Sequence, residues 1–132
     1  LGGHSTGGTL ALLVAATGLP IQGVFAFGPV EDVSSYPMDV NWKRLSPQER
    51  QLRAPINWLT SIQSPTWIIE GDKSPGNLSS LNALCAANKS PQVHCVAAGG
   101  LDHYSVLQPM TRRIAAQLAL GQAPKLESAP IQ

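Results

Sequence analysis

Five residues near the N-terminus have the types and spacing for covalent catalysis: Gly3-His4-Ser5-Thr6-Gly7, a G-x-S-x-G pattern. The pattern marks a sharp turn from a strand into a helix, with a serine at the apex. Ser5 is expected in a strained backbone conformation. Gly3 and Gly7 are expected because a side chain at either position would collide with the adjoining strand and helix. The helix that follows aims its unpaired N–H groups and the positive end of its dipole at the serine oxygen. The Thr6 N–H is therefore the expected first donor of an oxyanion hole. Average composition produces the pattern by chance about 0.04 times in a chain of this size. Phosphate binding is the competing chemistry for a glycine-rich turn. No Lys follows in a G-K-[ST] arrangement, and Gly2-Gly3-x-x-x-Gly7 does not reproduce G-x-G-x-x-G.

A nucleophilic serine needs a base, and the base needs an acidic orienter. There are three histidines. His4 lies inside the turn and is expected to point into the sheet. His94 stands mid-strand in Val93-His94-Cys95-Val96 and is expected in the core. His103 follows Gly99-Gly100-Leu101-Asp102 in a loop after the last strand, where catalytic groups of parallel sheets collect, and is the expected base. Among the acids, Glu127 falls in the tail, Glu49 and Asp39 in a polar excursion, and Asp102 is the sequence neighbour of His103. Asp72 leads as orienter, one residue beyond Gly71 at the C-terminal edge of a strand. Asp32, a short loop after the preceding strand, and Glu70, at the strand end itself, stay open as alternatives.

The elements that must position these groups follow from hydrophobic patterning. Residues 22–27, 66–70 and 92–97 are apolar runs without clean polar alternation, as strands covered on both faces are. Helical patterns run from Thr6 to Thr17, from Pro55 to Ile62 with Ile56, Leu59 and Ile62 inward, from an Asn77 N-cap to Asn88, and from Pro109 to Gly121. The alternation predicts an α/β domain over residues 1–122, a mostly parallel sheet with helices on both faces. Residues 31–53 break the rhythm and read as a lid-like insertion. Within it Tyr36 and Trp42 are candidates for a substrate pocket, while Trp58 and Trp67 are expected in the core. Residues 123–132 have no period and read as a disordered tail.

Composition bounds the partners. The chain has 132 residues, 43% hydrophobic and 13% charged, with a net charge of +1. That is enough for one core, and it lacks the basic excess that nucleic acid or an anionic membrane requires. No run of about 18 apolar residues exists to form a membrane span. Two cysteines make neither a disulfide-dense scaffold nor a zinc pattern, and Cys85 and Cys95 are expected as buried free thiols. No metal or cofactor is implied. The chain begins with Leu1 and opens its motif at the third residue. It reads as a piece of a longer polypeptide, and its N-terminus says nothing about compartment.

Gly3-His4-Ser5-Thr6-Gly7-Gly8, a strand reading Pro65-Thr66-Trp67-Ile68-Ile69-Glu70-Gly71, and Asp102-His103 in that order resemble the α/β-hydrolase superfamily. The likeness is to its prolyl-oligopeptidase-like and dienelactone-hydrolase-like branches. It covers about residues 1–120 and corresponds to the C-terminal half of the family's domain. It implies a serine hydrolase acting on an ester, amide or peptide of a small-molecule or peptide substrate through an acyl-serine, with triad order Ser, acid, His. An acyltransferase on the same triad and a degenerate, non-catalytic interaction module are the alternatives. Two departures stand out. The family's usual acid position, three residues after the strand's Gly, is Ser74 here. The strand entering the elbow is reduced to Leu1-Gly2, and the half of the sheet that supplies the second oxyanion donor is missing.

Overall fold

A computed structural model describes residues 1–36 and 44–127. The chain forms β1 (Gly2–His4), α1 (Thr6–Ala15), β2 (Val24–Phe27), α2 (Pro47–Leu52), β3 (Thr66–Gly71), α3 (Leu78–Ala87), β4 (Val93–Ala98) and α4 (Leu107–Ala119). The four strands make one sheet in the order β1-β2-β3-β4. Every pairing is parallel, with Phe27 opposite His4 on one side and Ile69 on the other.

Strand order follows chain order, so right-handed crossovers put every connecting element on one face. That face carries α1, the segment 55–62 and α3, and its core joins Ala11, Leu12, Ala15, Leu59, Ile62, Leu81 and Leu84 to Val24, Ala26 and Ile68. The chain then passes beyond β4, and α4 covers the opposite face with Met110 and Ile114 against Phe27, Trp67, Ile69 and Val96. The period of two along β3 shows in this division: Trp67 and Ile69 face α4, while Ile68 faces α3. All six residues of β3 are buried, which explains its unbroken apolar run.

Several expectations are corrected. Segment 55–62 is not one helix but two 3-10 turns, Pro55–Asn57 and Leu59–Ser61, although Leu59 and Ile62 are buried as expected. The excursion contains α2, begun by Ser46, whose hydroxyl accepts from the Glu49 N–H at 3.2 Å. Its start is fastened to the body: Val33 is buried, and Tyr36 Oη bonds Thr9 Oγ1 at 2.7 Å. Lys125 and Leu126, in the stretch expected to lack structure, dock on α4. Lys125 N–H donates to Gln117 Oε1 at 3.0 Å, and Leu126 packs into the α4 core. Cys85 on α3 and Cys95 on β4 form a disulfide, with Cα atoms 6.1 Å apart. Cys95 lies on the α3 face of β4, so α3 brings Cys85 directly over it. His94 is exposed, because β4 is an edge strand; its ring stacks on Trp67 with centroids 5.6 Å apart. Trp67 is core, and Trp58 is half-buried, its indole N–H donating to the Gln51 carbonyl. Among the described residues, no helix is long and apolar enough to cross a membrane.

Candidate active site

Ser5 stands between β1 and α1 with φ 54° and ψ −118°, the one positive φ of a non-glycine residue among those described. A non-glycine side chain there is strained, and strain of this kind clusters at functional sites. The turn is tied to the next strand by a 2.8 Å bond from the Ser5 N–H to the Phe27 carbonyl. A Cβ at Gly3 would strike the Gly7 carbonyl, and one at Gly8 would lie 2.6 Å from the Phe27 carbonyl. Gly7, expected to be sterically required, faces open space; the close approach falls on Gly8. Thr6 is the first residue of α1, so its N–H has no partner within the helix.

Glu70 ends β3. It shares the parity of Ile68 and so points beneath the N-terminus of α3. Its side chain is fully buried. Oε1 accepts from the Gly71 N–H at 2.7 Å. Oε2 accepts from the Asn77 N–H at 2.9 Å and pairs with His103 Nδ1 at 2.8 Å. A buried carboxylate is costly without such donors, and this one has three. His103 is 8% exposed, and its backbone N–H donates to the Pro75 carbonyl at 3.0 Å. Its ring rests on Gly28, where a Cβ would collide with the imidazole. Because Nδ1–H donates to Glu70, Nε2 is the ring nitrogen left to accept a proton. Ser5 Oγ makes no hydrogen bond to it in this structure.

The structure therefore joins His103 to Glu70 and not to Asp72. Beyond Gly71 the chain turns toward the end of β4, because Gly71 is pressed against the Leu101 backbone. Asp72 N–H donates to the Ala98 carbonyl, and its carboxylate accepts from the Gly100 N–H at 2.8 Å. Asp32 caps the 3-10 turn at Val33–Ser35 by accepting from the Ser34 N–H. Asp102 accepts from the N–H groups of Tyr104 and Ser105 and from the Ser105 hydroxyl. These donors, Ser105 N–H foremost, hold its carboxyl below the usual aspartate range. His4 does not point into the sheet. Its Nε2 donates to the His103 carbonyl at 2.9 Å, and the two rings lie 4.4 Å apart. Tyr104, 67% exposed, meets the His103 ring edge-on at 5.2 Å. The Tyr36 hydroxyl is engaged by Thr9, one helical turn from Ser5; Trp42 and Asp39 lie outside the described residues.

Gly28 and Asn77 escaped the sequence reading as site residues. Gly28 follows β2 and Asn77 precedes α3, and only the assembled sheet shows that both meet the Glu70–His103 pair. Among the described residues, no cluster of three or more His, Cys, Asp or Glu is arranged to hold a metal ion.

No family model matches the chain, and no curated protein matches it in sequence. Solved structures match it in fold. A 2,6-dihydroxy-pseudo-oxynicotine hydrolase superposes with a TM-score of 0.63 at 19% identity, over 98% of this chain and 43% of its own. A Thermus thermophilus protein gives 0.59 at 20% identity, over 92% of this chain and 52% of its own. An acylaminoacyl peptidase, solved with Z-Gly-Gly-Phe-chloromethyl ketone, gives 0.59 at 15%, over 97% of this chain and 24% of its own. The chain thus spans about half or less of these proteins' lengths. At such identities the likeness is one of fold alone: a parallel sheet with helices on both faces, consistent with part of an α/β-hydrolase fold.

Proposed function

We propose that this chain carries the nucleophile, base and acid of a serine hydrolase: Ser5, His103 and Glu70. The observation that carries the reading is the buried 2.8 Å bond from His103 Nδ1 to Glu70; Ser5, held at φ 54°, follows His4, whose ring lies 4.4 Å from that of His103. The Ser–acid–His chain order agrees with it. Glu70 takes the role that the sequence reading gave first to Asp72. The names of two fold neighbours, a hydrolase and a peptidase, point to the same general chemistry.

His103 Nε2 takes the proton of Ser5 Oγ as that oxygen bonds to the acyl carbon of an ester, amide or peptide. The Thr6 N–H, at the positive end of α1, donates to the oxyanion. The tetrahedral intermediate collapses by breaking the bond to the leaving group, which departs with the proton from His103. Water then loses a proton to His103 as its oxygen bonds to the acyl carbon; the second tetrahedral intermediate collapses by breaking the bond to Ser5 Oγ, which takes the proton back from His103 as the carboxylic acid departs. Glu70 fixes the Nδ1–H tautomer and balances the imidazolium charge in both steps.

The test uses the full-length protein, a fluorophosphonate probe and a short nitrophenyl ester. Ser5→Ala is expected to abolish labelling and to lower turnover by several orders of magnitude, with His103→Ala close behind. His94→Ala, remote from the pair, is expected to leave turnover near wild type. Full turnover in Ser5→Ala would sink the reading. Competition by an added alcohol or amine for the acyl group would move the reaction to acyl transfer on the same residues.

A further inference from the structure

Asn77 occupies the N-cap position of α3, yet its side chain makes no capping hydrogen bond. A capping Asn ordinarily satisfies an unpaired N–H of its own helix. Here Nδ2 instead crosses to the end of β2 and donates to the Gly28 carbonyl at 2.8 Å. The backbone N–H of the same residue donates to Glu70 Oε2 at 2.9 Å, the oxygen that also pairs with His103. Asn77 thus ties together two strand ends, through Gly28 and Glu70, at the place where the His103 ring lies. Gly28 leaves no slack, since a Cβ on it would lie 2.8 Å from Glu70 Oε2 and would collide with the His103 ring. The same loop holds the His103 backbone through the Pro75 carbonyl.

We propose that Asn77 is a positioning residue for the Glu70–His103 pair, its side-chain amide fixing the distance between the loop that holds the carboxylate and the glycine on which the imidazole rests. The proposal rests on the reading of His103 as base and Glu70 as its orienter. Asn77 acts through them and touches neither substrate nor nucleophile. A local cap is given up for a long-range bond, as expected of a residue that serves the site more than its helix.

The test places Asn77→Ala and Asn77→Asp in the full-length protein beside Ser5→Ala and Glu70→Gln, with a nitrophenyl ester as substrate. Asp is a good helix cap of the same size but cannot donate to the Gly28 carbonyl. Both Asn77 variants are expected to lower kcat roughly 10- to 100-fold with KM changed by less than about threefold, the scale on which outer partners tune a site. Both should also weaken the low-field proton NMR signal of the His103–Glu70 hydrogen bond, identified by its loss in Glu70→Gln. Near-wild-type kcat in Asn77→Asp, with or without a fall in Asn77→Ala, would show that the bond to the Gly28 carbonyl does not set the pair and would overturn the proposal. If Asn77→Ala does not fold, Asn77→Asp decides alone. Loss of activity in Ser5→Ala and Glu70→Gln with wild-type kcat in Asn77→Asp would remove this proposal only. Full turnover in Ser5→Ala would remove the hydrolase reading and this proposal together.

Discussion

At the scale of the residue, the structure discriminates between two carboxylates two positions apart. Glu70→Gln is expected to lower kcat by roughly 10³- to 10⁴-fold, because an amide stabilises the wrong imidazole tautomer. Asp72→Asn is expected to cost less than about tenfold, since its carboxylate faces the Gly100 N–H rather than the ring. Steady-state rates of the two variants settle the choice, and a larger loss in Asp72→Asn would return the role to Asp72. Gly28→Ala supplies a steric counterpart. The new methyl would meet both the imidazole and Glu70 at a φ of 55°, and kcat is expected to fall at least as far as in Glu70→Gln. The sequence alone pointed to Ser5 and His103 because each sits in a local pattern, an elbow and a post-strand loop. The choice of acid was not legible, because it depends on which face β3 turns to α3 and on Gly71 being pinned against Leu101. The parity of Glu70 with buried Ile68 is the signal in the sequence that bears on the choice.

At the scale of the element, short-range chemistry explains most of what patterning missed. Ser46-Pro47-Gln48-Glu49 has the S-x-x-E spacing of a helix start with Pro at the first helical position, and the Ser46 hydroxyl, accepting from the Glu49 N–H, starts α2 inside a stretch that reads as irregular. Pro124 and Leu126 alternate with exposed residues, a period of two that docks the chain after α4 without a helix or strand. The Cys85–Cys95 bridge was invisible because its partners lie on elements of different period. It closes a loop of separation 10, for which chain entropy gives roughly 2.5–3 kcal/mol. Reduction is expected to lower the melting temperature, and denatured protein to show two thiols only after reductant. Two free thiols beforehand would contradict the bridge. The turn entering α4 has a pH signature of its own. Asp102 has a lower pKa folded than unfolded, so its contribution is present above the unfolded value near 3.9 and is lost as pH falls through the folded one. Asp102→Asn should therefore lose less melting temperature than wild type between about pH 5 and pH 3. Equal losses in the two proteins would contradict that account.

At the scale of the whole molecule, the apolar surface is distributed unevenly. Helix α1 carries no charged residue, and Leu10 and Val14 on it are 57% and 39% exposed. Among the described residues β1 pairs only with β2, which leaves its other edge with unpaired backbone groups. Beside that edge, Gly2, Gly3, Phe25, Phe27, Leu107 and Ile114 line a groove of about 310 Å³. An open parallel edge next to an apolar groove is a template for association, and a chain with 13% charged residues has little to oppose it. The elbow lies on the same edge, so whatever disturbs β1 disturbs Ser5. The hydrolase reading assigns one oxyanion donor to the described residues, the Thr6 N–H, and lacking a second such donor costs roughly 10²- to 10³-fold in kcat. Residues 1–132 expressed alone are therefore expected to self-associate and to hydrolyse a nitrophenyl ester at under about 1% of the full-length rate, although Ser5, Glu70 and His103 are all present. Light scattering and steady-state turnover, measured side by side on the span and on the full-length protein, check both halves of the expectation. A monomeric, cooperatively melting span with full turnover would mean that β1 and α1 need no cover and that the Thr6 N–H suffices for the oxyanion.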